Sequence, residues 1–137
     1  MRLNQATDYA MRAVLYLSGL PYGQVTEAKL IAEEERIPIR FLLKILRLLN
    51  KGGIVESHRG VNGGYALARQ PSQITMLDVV EAIEGPVIVN RCLHSPEECN
   101  KFYSKHCPVH EALFGLQKTM VEHLGRYNFQ MLHERVK

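Results

Sequence analysis

The chain has 137 residues, 46% of them hydrophobic, enough for one compact domain plus an accessory element. Seventeen basic against 14 acidic residues leave a net charge of only +3, so bulk charge neither requires nor excludes a nucleic-acid partner. No apolar run approaches the ~20 residues that span a bilayer, and the polar start Met1-Arg2-Leu3-Asn4-Gln5 lacks the apolar core of a secretory signal, so we expect a cytoplasmic protein without membrane contact.

Leu3, Ala6, Ala10, Ala13, Val14 and Leu17 recur at helical spacing and predict a helix over 2–18, broken by Gly19-Leu20-Pro21-Tyr22-Gly23. A second helix is expected over 26–35, with Thr26 as N-cap and Leu30 and Ile31 as apolar anchors. Pro38 suits the first turn of a third helix that stops at Gly52-Gly53. Two short strands, 54–58 and 65–68, flank the glycine-rich turn Arg59-Gly60-Val61-Asn62-Gly63-Gly64, the signature of a hairpin. A helix over 76–84 follows, and then a polar, cysteine-bearing loop over 90–107. From Pro108 to about His133, Leu113, Leu116, Met120, Leu124, Tyr127 and Met131 advance in steps of three and four. One helix of that length, roughly 35–40 Å, has no intrachain partner of its own size, so we expect a symmetric mate to cover its stripe.

The third helix has two faces. Leu42, Ile45, Leu46 and Leu49 make a core stripe, and Arg40, Lys44, Arg47 and Lys51 share the opposite side. Between Arg36 and Arg59 six basic residues meet a single acid, Glu56. A cationic stripe alone reads as a solvated helix face. On the second helix of a helix-turn-helix it suits the major groove, with Arg40 placed to reach base edges, Lys44 to reach them or to contact phosphate, and Arg47 and Lys51 to hold phosphates. His58 and Arg59 enter the hairpin turn, where they can approach the minor groove. The expected fold is therefore mainly α with a small β-hairpin: a winged helix-turn-helix over 1–85, a cysteine-bearing loop over 86–107, and a long C-terminal dimerisation helix over 108–137.

Cys92, Cys99 and Cys107 fall in one short segment, separated by six and seven residues, and Cys107 begins a Cys-x-x-His with His110. An odd count argues against a disulfide framework, and the clustering suggests a metal site. Three thiolates and an imidazole suit either an iron–sulfur centre with one weaker ligand or a tetrahedral zinc site. His94 and His106 lie nearby and are taken as bystanders. The chain has no His-Glu-x-x-His, no Gly-x-x-x-x-Gly-Lys and no Cys-x-x-Cys, so nothing points to an enzyme.

Asp8-Tyr9-Ala10, the run from Arg59 to Tyr65 and the three-cysteine loop before a long helix together resemble the IscR/NsrR/RirA family, the Rrf-two family of bacterial winged-helix regulators. The resemblance covers essentially the whole chain. It implies a dimeric transcription regulator, a repressor in our reading, that binds palindromic promoter sites in double-stranded DNA and carries an iron–sulfur cluster. By the same resemblance Arg59 enters the minor groove. His110 matches the histidine that IscR-type regulators offer to a 2Fe–2S centre. Asp8 matches the aspartate that NsrR-type sensors offer from the partner subunit to a 4Fe–4S centre. Both residues are present, so they compete for the fourth position, with His110 taken first. A zinc-binding or metal-free regulator of the same fold is the alternative.

Overall fold

A computed structural model describes residues 2–101 and 106–136. The element order is α1 (Gln5–Ser18), α2 (Ala28–Glu35), α3 (Ile39–Lys51), β1 (Val55–His58), β2 (Gly64–Leu67), a 3-10 turn (Pro71–Gln73), α4 (Met76–Glu84), α5 (Arg91–His94), a second 3-10 turn (Pro96–Glu98), α6 (Pro108–Arg126) and α7 (Phe129–Glu134). This is the expected mainly helical fold with a β-hairpin wing and a long C-terminal helix.

α1 is the central strut. Asn4 stops it from starting at residue 2, because its side chain accepts from Thr7 N at 2.8 Å as the N-cap. The Glu84 carboxylate reaches across from the end of α4, accepting from the Asn4 backbone at 3.3 Å and from the Thr7 hydroxyl. A carboxylate at a helix N-terminus also offsets the positive end of the helix dipole. Thr7, Ala10, Ala13, Val14, Leu17 and Ser18 are buried, and α2, α3, α4, α7 and β2 pack around this face.

Thr26 does not cap α2. It is extended, buried and paired with the wing: Thr26 N donates to Tyr65 O at 2.9 Å and Tyr65 N to Thr26 O at 2.8 Å. The helix begins instead at Ala28, with Glu27 in the capping position and no side-chain cap. Only Ile31 and Ala32 of α2 are buried, so Leu30 is not an anchor. The tight turn into α3 runs through Arg36, the one non-glycine residue with positive φ (54°) among the described residues. Arg12 of α1 holds this turn by donating from Nη1 to Glu35 O at 2.8 Å.

The buried residues of α3 are the expected Leu42, Ile45, Leu46 and Leu49. β1 and β2 pair antiparallel, Val55 with Leu67 through His58 with Gly64. The wing closes with Gly63 N donating to Gly60 O at 3.0 Å. α4 opens on a capping box: Asp78 N donates to the Thr75 hydroxyl and Thr75 N to the Asp78 carboxylate.

The chain beyond α4 also departs from the expected elements. The segment 90–107 is not a plain loop, since it contains α5 and the second 3-10 turn; its residues 102–105 lie outside the described residues. The C-terminal helix is not continuous to His133. Tyr127 turns extended, its carbonyl accepts from Met76 N at 2.9 Å, and Phe129 N donates to Ile74 O at 2.9 Å. Asn128 then caps α7 through Met131 N at 2.9 Å. The break exists because Phe129, 1% exposed, enters the core beside α1 and carries α7 back onto the winged domain. α6 alone is 19 residues, about 28 Å.

Candidate nucleic-acid interface and cysteine segment

Because α3 spends one face on the core, its other face is turned to solvent. Arg40, Lys44, Arg47 and Lys51 are all exposed there and fall within an arc of about 60° at 100° per residue. None forms a salt bridge among the described residues, so their charge is available to an anionic partner. His58 and Arg59 are exposed at the end of β1. His58 Nε2 lies 3.2 Å from Glu56 Oε1, two residues away on the same strand face. Val61 at the wing tip is 97% exposed.

The wing's position is fixed by close packing. A Cβ on Gly64 would lie 2.3 Å from Thr26 O, and one on Gly63 would lie 2.5 Å from His58 O. Glycine at these two positions lets the hairpin close and lets its base lie against the segment before α2. The hairpin therefore stands beside α3, against which β1 packs.

Beside its cations, α3 also turns apolar residues to solvent. Ile39, Phe41 and Leu43 are each more than 40% exposed. Phe41 lies against Tyr9 of α1, ring centroids 6.5 Å apart, and the Arg12 guanidinium sits 4.8 Å from the Tyr9 ring centroid. The signal was available, because these three residues fall outside the stripe defined by Leu42, Ile45, Leu46 and Leu49.

Cys92 sits in α5, Cys99 at the end of the second 3-10 turn and Cys107 at the N-cap of α6; all three are half-buried and no disulfide joins them. α5 packs on the first part of α6, and Val89 N donates to Gln117 Oε1 at 2.9 Å, which fastens the approach to α5 along α6. This packing brings His110 Nδ1 to 3.1 Å from Cys92 Sγ, while Asn90 Nδ2 lies 3.5 Å from the same sulfur. Asn90 also caps α5 through Arg91 N at 3.0 Å. Cys107 is three residues before His110 on the same helix.

Cys99 and Cys107 do not join the Cys92–His110 pair. Among the described residues no three histidine, cysteine, aspartate or glutamate side chains converge as metal ligands do. Asp8 lies in the first turn of α1 and faces Arg12 at 3.5 Å. His94 and His106 are exposed. The packing of α5 on α6 thus brings one thiol, Cys92, and one imidazole, His110, into contact.

No helix among the described residues is long and apolar enough to cross a membrane.

Comparison with known proteins agrees with this architecture. Residues 3–135 match the family model "Rrf2: Iron-dependent Transcriptional regulator". An HTH-type transcriptional regulator of Aquifex aeolicus is 34% identical over 110 residues, 80% of this chain and 76% of that protein. One from Mycobacterium tuberculosis is 39% identical over 87 residues, and the match spans 64% of this chain but only about half, 54%, of the relative. CymR, the global cysteine regulator of B. subtilis, superimposes with a TM-score of 0.77 at 21% identity, covering 100% of this chain and 99% of that one. IscR of T. potens gives 0.76 at 23% identity, covering 99% and 89%. The chain belongs to the Rrf2 family of winged helix-turn-helix proteins and is a DNA-binding transcriptional regulator rather than an enzyme.

Proposed function

We propose that this regulator is a homodimer, a repressor at palindromic operators, whose grip on DNA is set by a metal centre in the segment that joins the winged domain to α6. The observation that carries the metal reading is the approach of His110 Nδ1 to Cys92 Sγ at 3.1 Å. The family description "Iron-dependent" and the fold shared with a protein named IscR support iron as the metal. Cys92, Cys99 and Cys107 are the thiolate ligands in this reading, and His110 is the fourth, ahead of Asp8, whose carboxylate already faces Arg12. An iron–sulfur cluster, 2Fe–2S with a histidine ligand, would supply a redox-labile tie between α5 and α6.

The dimer follows from what α6 leaves uncovered. None of its residues is buried, and Val109, Phe114 and Leu116 are among its exposed apolar side chains. A largely apolar cavity of about 540 Å³ opens between it and the winged domain, lined by Val80, Glu84, Ile88, Met120 and Leu124 among others. A second copy of α6 covers such a face at little entropic cost, because the helix is already formed. Division into a DNA-binding unit (1–85), a ligand-bearing segment (86–107) and a dimer helix (108–137) follows, with α7 packed back on the first unit. In the dimer, Arg40 reaches base edges, Lys44 a base edge or a phosphate, Arg47 and Lys51 hold phosphates, and His58 and Arg59 approach the minor groove. A change at Cys92 and His110 moves the base of α6, and so the spacing of the two α3 helices.

Protein purified without oxygen from the cytoplasm of an expressing cell tests this reading. We expect a brown or red protein that bleaches with oxidant or nitric oxide, and a holo form that differs from the apo form in operator affinity. Colourless protein with stoichiometric zinc favours the structural Cys3His reading instead. Equal affinity of the two forms refutes the coupling. Loss of the visible bands in His110→Ala but not in Asp8→Ala assigns the fourth ligand.

A further inference from the structure

The basic stripe of α3 has an apolar border. Leu43 is 42% exposed, three residues after Arg40 and four before Arg47, so it stands one helical turn from each on the outward face. At 100° per residue it lies roughly 70° from the middle of the stripe. Ile39, one turn before it, is 41% exposed and continues the border toward the start of α3. A singly exposed leucine is ordinary on a protein surface and needs no explanation. This one lies on a helix whose neighbouring cations have no salt-bridge partners among the described residues, so a duplex drawn to Arg40 and Arg47 also covers Leu43. Phe41, on the other border, lies against Tyr9 and so has an intramolecular neighbour.

Of the groups that base pairs present in the major groove, only one is apolar: the C5-methyl of thymine. A leucine desolvated against any other base edge strips water from a hydrogen-bonding atom and returns nothing. Against the methyl both surfaces gain. We propose that Leu43 is a specificity-determining residue, packing on a thymine methyl next to the base or phosphate held by Arg40. The inference rests on the DNA-binding reading of α3 and names part of the sequence that α3 selects: a thymine in each half-site.

Operators selected by the full-length protein from a random duplex pool provide the substrate. Each thymine is then replaced singly by 2′-deoxyuridine, which deletes the methyl and leaves the pairing edge intact. Binding is followed by fluorescence anisotropy at fixed salt. Wild type should lose about fourfold in affinity at one thymine of each half-site, the value of one buried methyl-sized group. Leu43→Ala should bind the thymine and deoxyuridine operators equally, and Leu43→Met, which keeps an apolar side chain, should retain the difference. The proposal is overturned when no thymine shows a methyl effect, or when Leu43→Ala keeps the wild-type effect. Selection that yields no preferred sequence while duplex still binds overturns it as well. Failure to bind any duplex is a different result, because it removes the DNA-binding reading itself.

Discussion

Gly64→Ala is the sharpest test of how the wing is held. The new Cβ would sit 2.3 Å from Thr26 O, 2.6 Å from Thr26 C and 2.9 Å from Glu27 N, all backbone atoms that no rotamer change can remove. Ordinary contact begins near 3.4 Å, so β2 and the Thr26 segment must part by roughly 1 Å. The two Thr26–Tyr65 hydrogen bonds, at 2.8 and 2.9 Å, do not survive that separation. Each is worth about 1 kcal/mol net, and more where a buried group is left unpaired, so the expected loss is about 2–5 kcal/mol. That is a large part of the ~5–15 kcal/mol that typically stabilises a domain. Thermal melting followed by circular dichroism should show a fall of several degrees or more. Gly53→Ala is the control, because its backbone has φ +74° but nothing lies within 4 Å of the added Cβ; strain alone should cost about 1–2 kcal/mol. A Gly64→Ala protein that melts within a degree of wild type would falsify the claim that this contact seats the wing. DNA affinity measured well below the melting temperature should also fall, since the hairpin no longer stands at its angle to α3.

Thr75→Ala removes the hydroxyl that Asp78 N donates to and should cost about 1 kcal/mol, read as a lower denaturant midpoint at unchanged slope. Lys51→Ala should weaken binding to every duplex and lessen the salt dependence by about one ion, whereas Arg40→Ala should flatten sequence preference; identical effects of the two would count against the division of roles. Burial, and then the nearby charges of Glu34 and Glu35, hold the Tyr16 phenol above its ordinary pKa of 10.0. The unfolded chain therefore ionises first, and folding loses stability as the pH rises past 10. Tyr16→Phe should flatten that alkaline decline in a urea-melt series across pH 9–11, and an unchanged decline would refute the assignment.

The sequence by itself determined the two faces of α3, because a helix repeats every 3.6 residues and Leu42, Ile45, Leu46 and Leu49 fall on that repeat. It also determined the wing, since Gly60, Gly63 and Gly64 mark a tight turn between two β-prone runs, and α4, whose limits follow from Thr75 and Gly85. These features rest on groups a few residues apart. Asn128 was a legible cap in the same sense, but the apolar steps through Tyr127 and Met131 hid it. Only the tertiary structure decided that the chain breaks there, because the break is driven by Phe129 finding the core and by Tyr127 pairing with the entrance to α4, some fifty residues earlier. Thr26 has an N-cap residue type, yet it spends its backbone on Tyr65 instead, a choice no local rule contains. The meeting of Cys92 with His110 has the same origin. They lie 18 positions apart, and the contact exists because α5 folds back on α6. Spacing showed that sulfur and imidazole were available, and packing chose which of them touch.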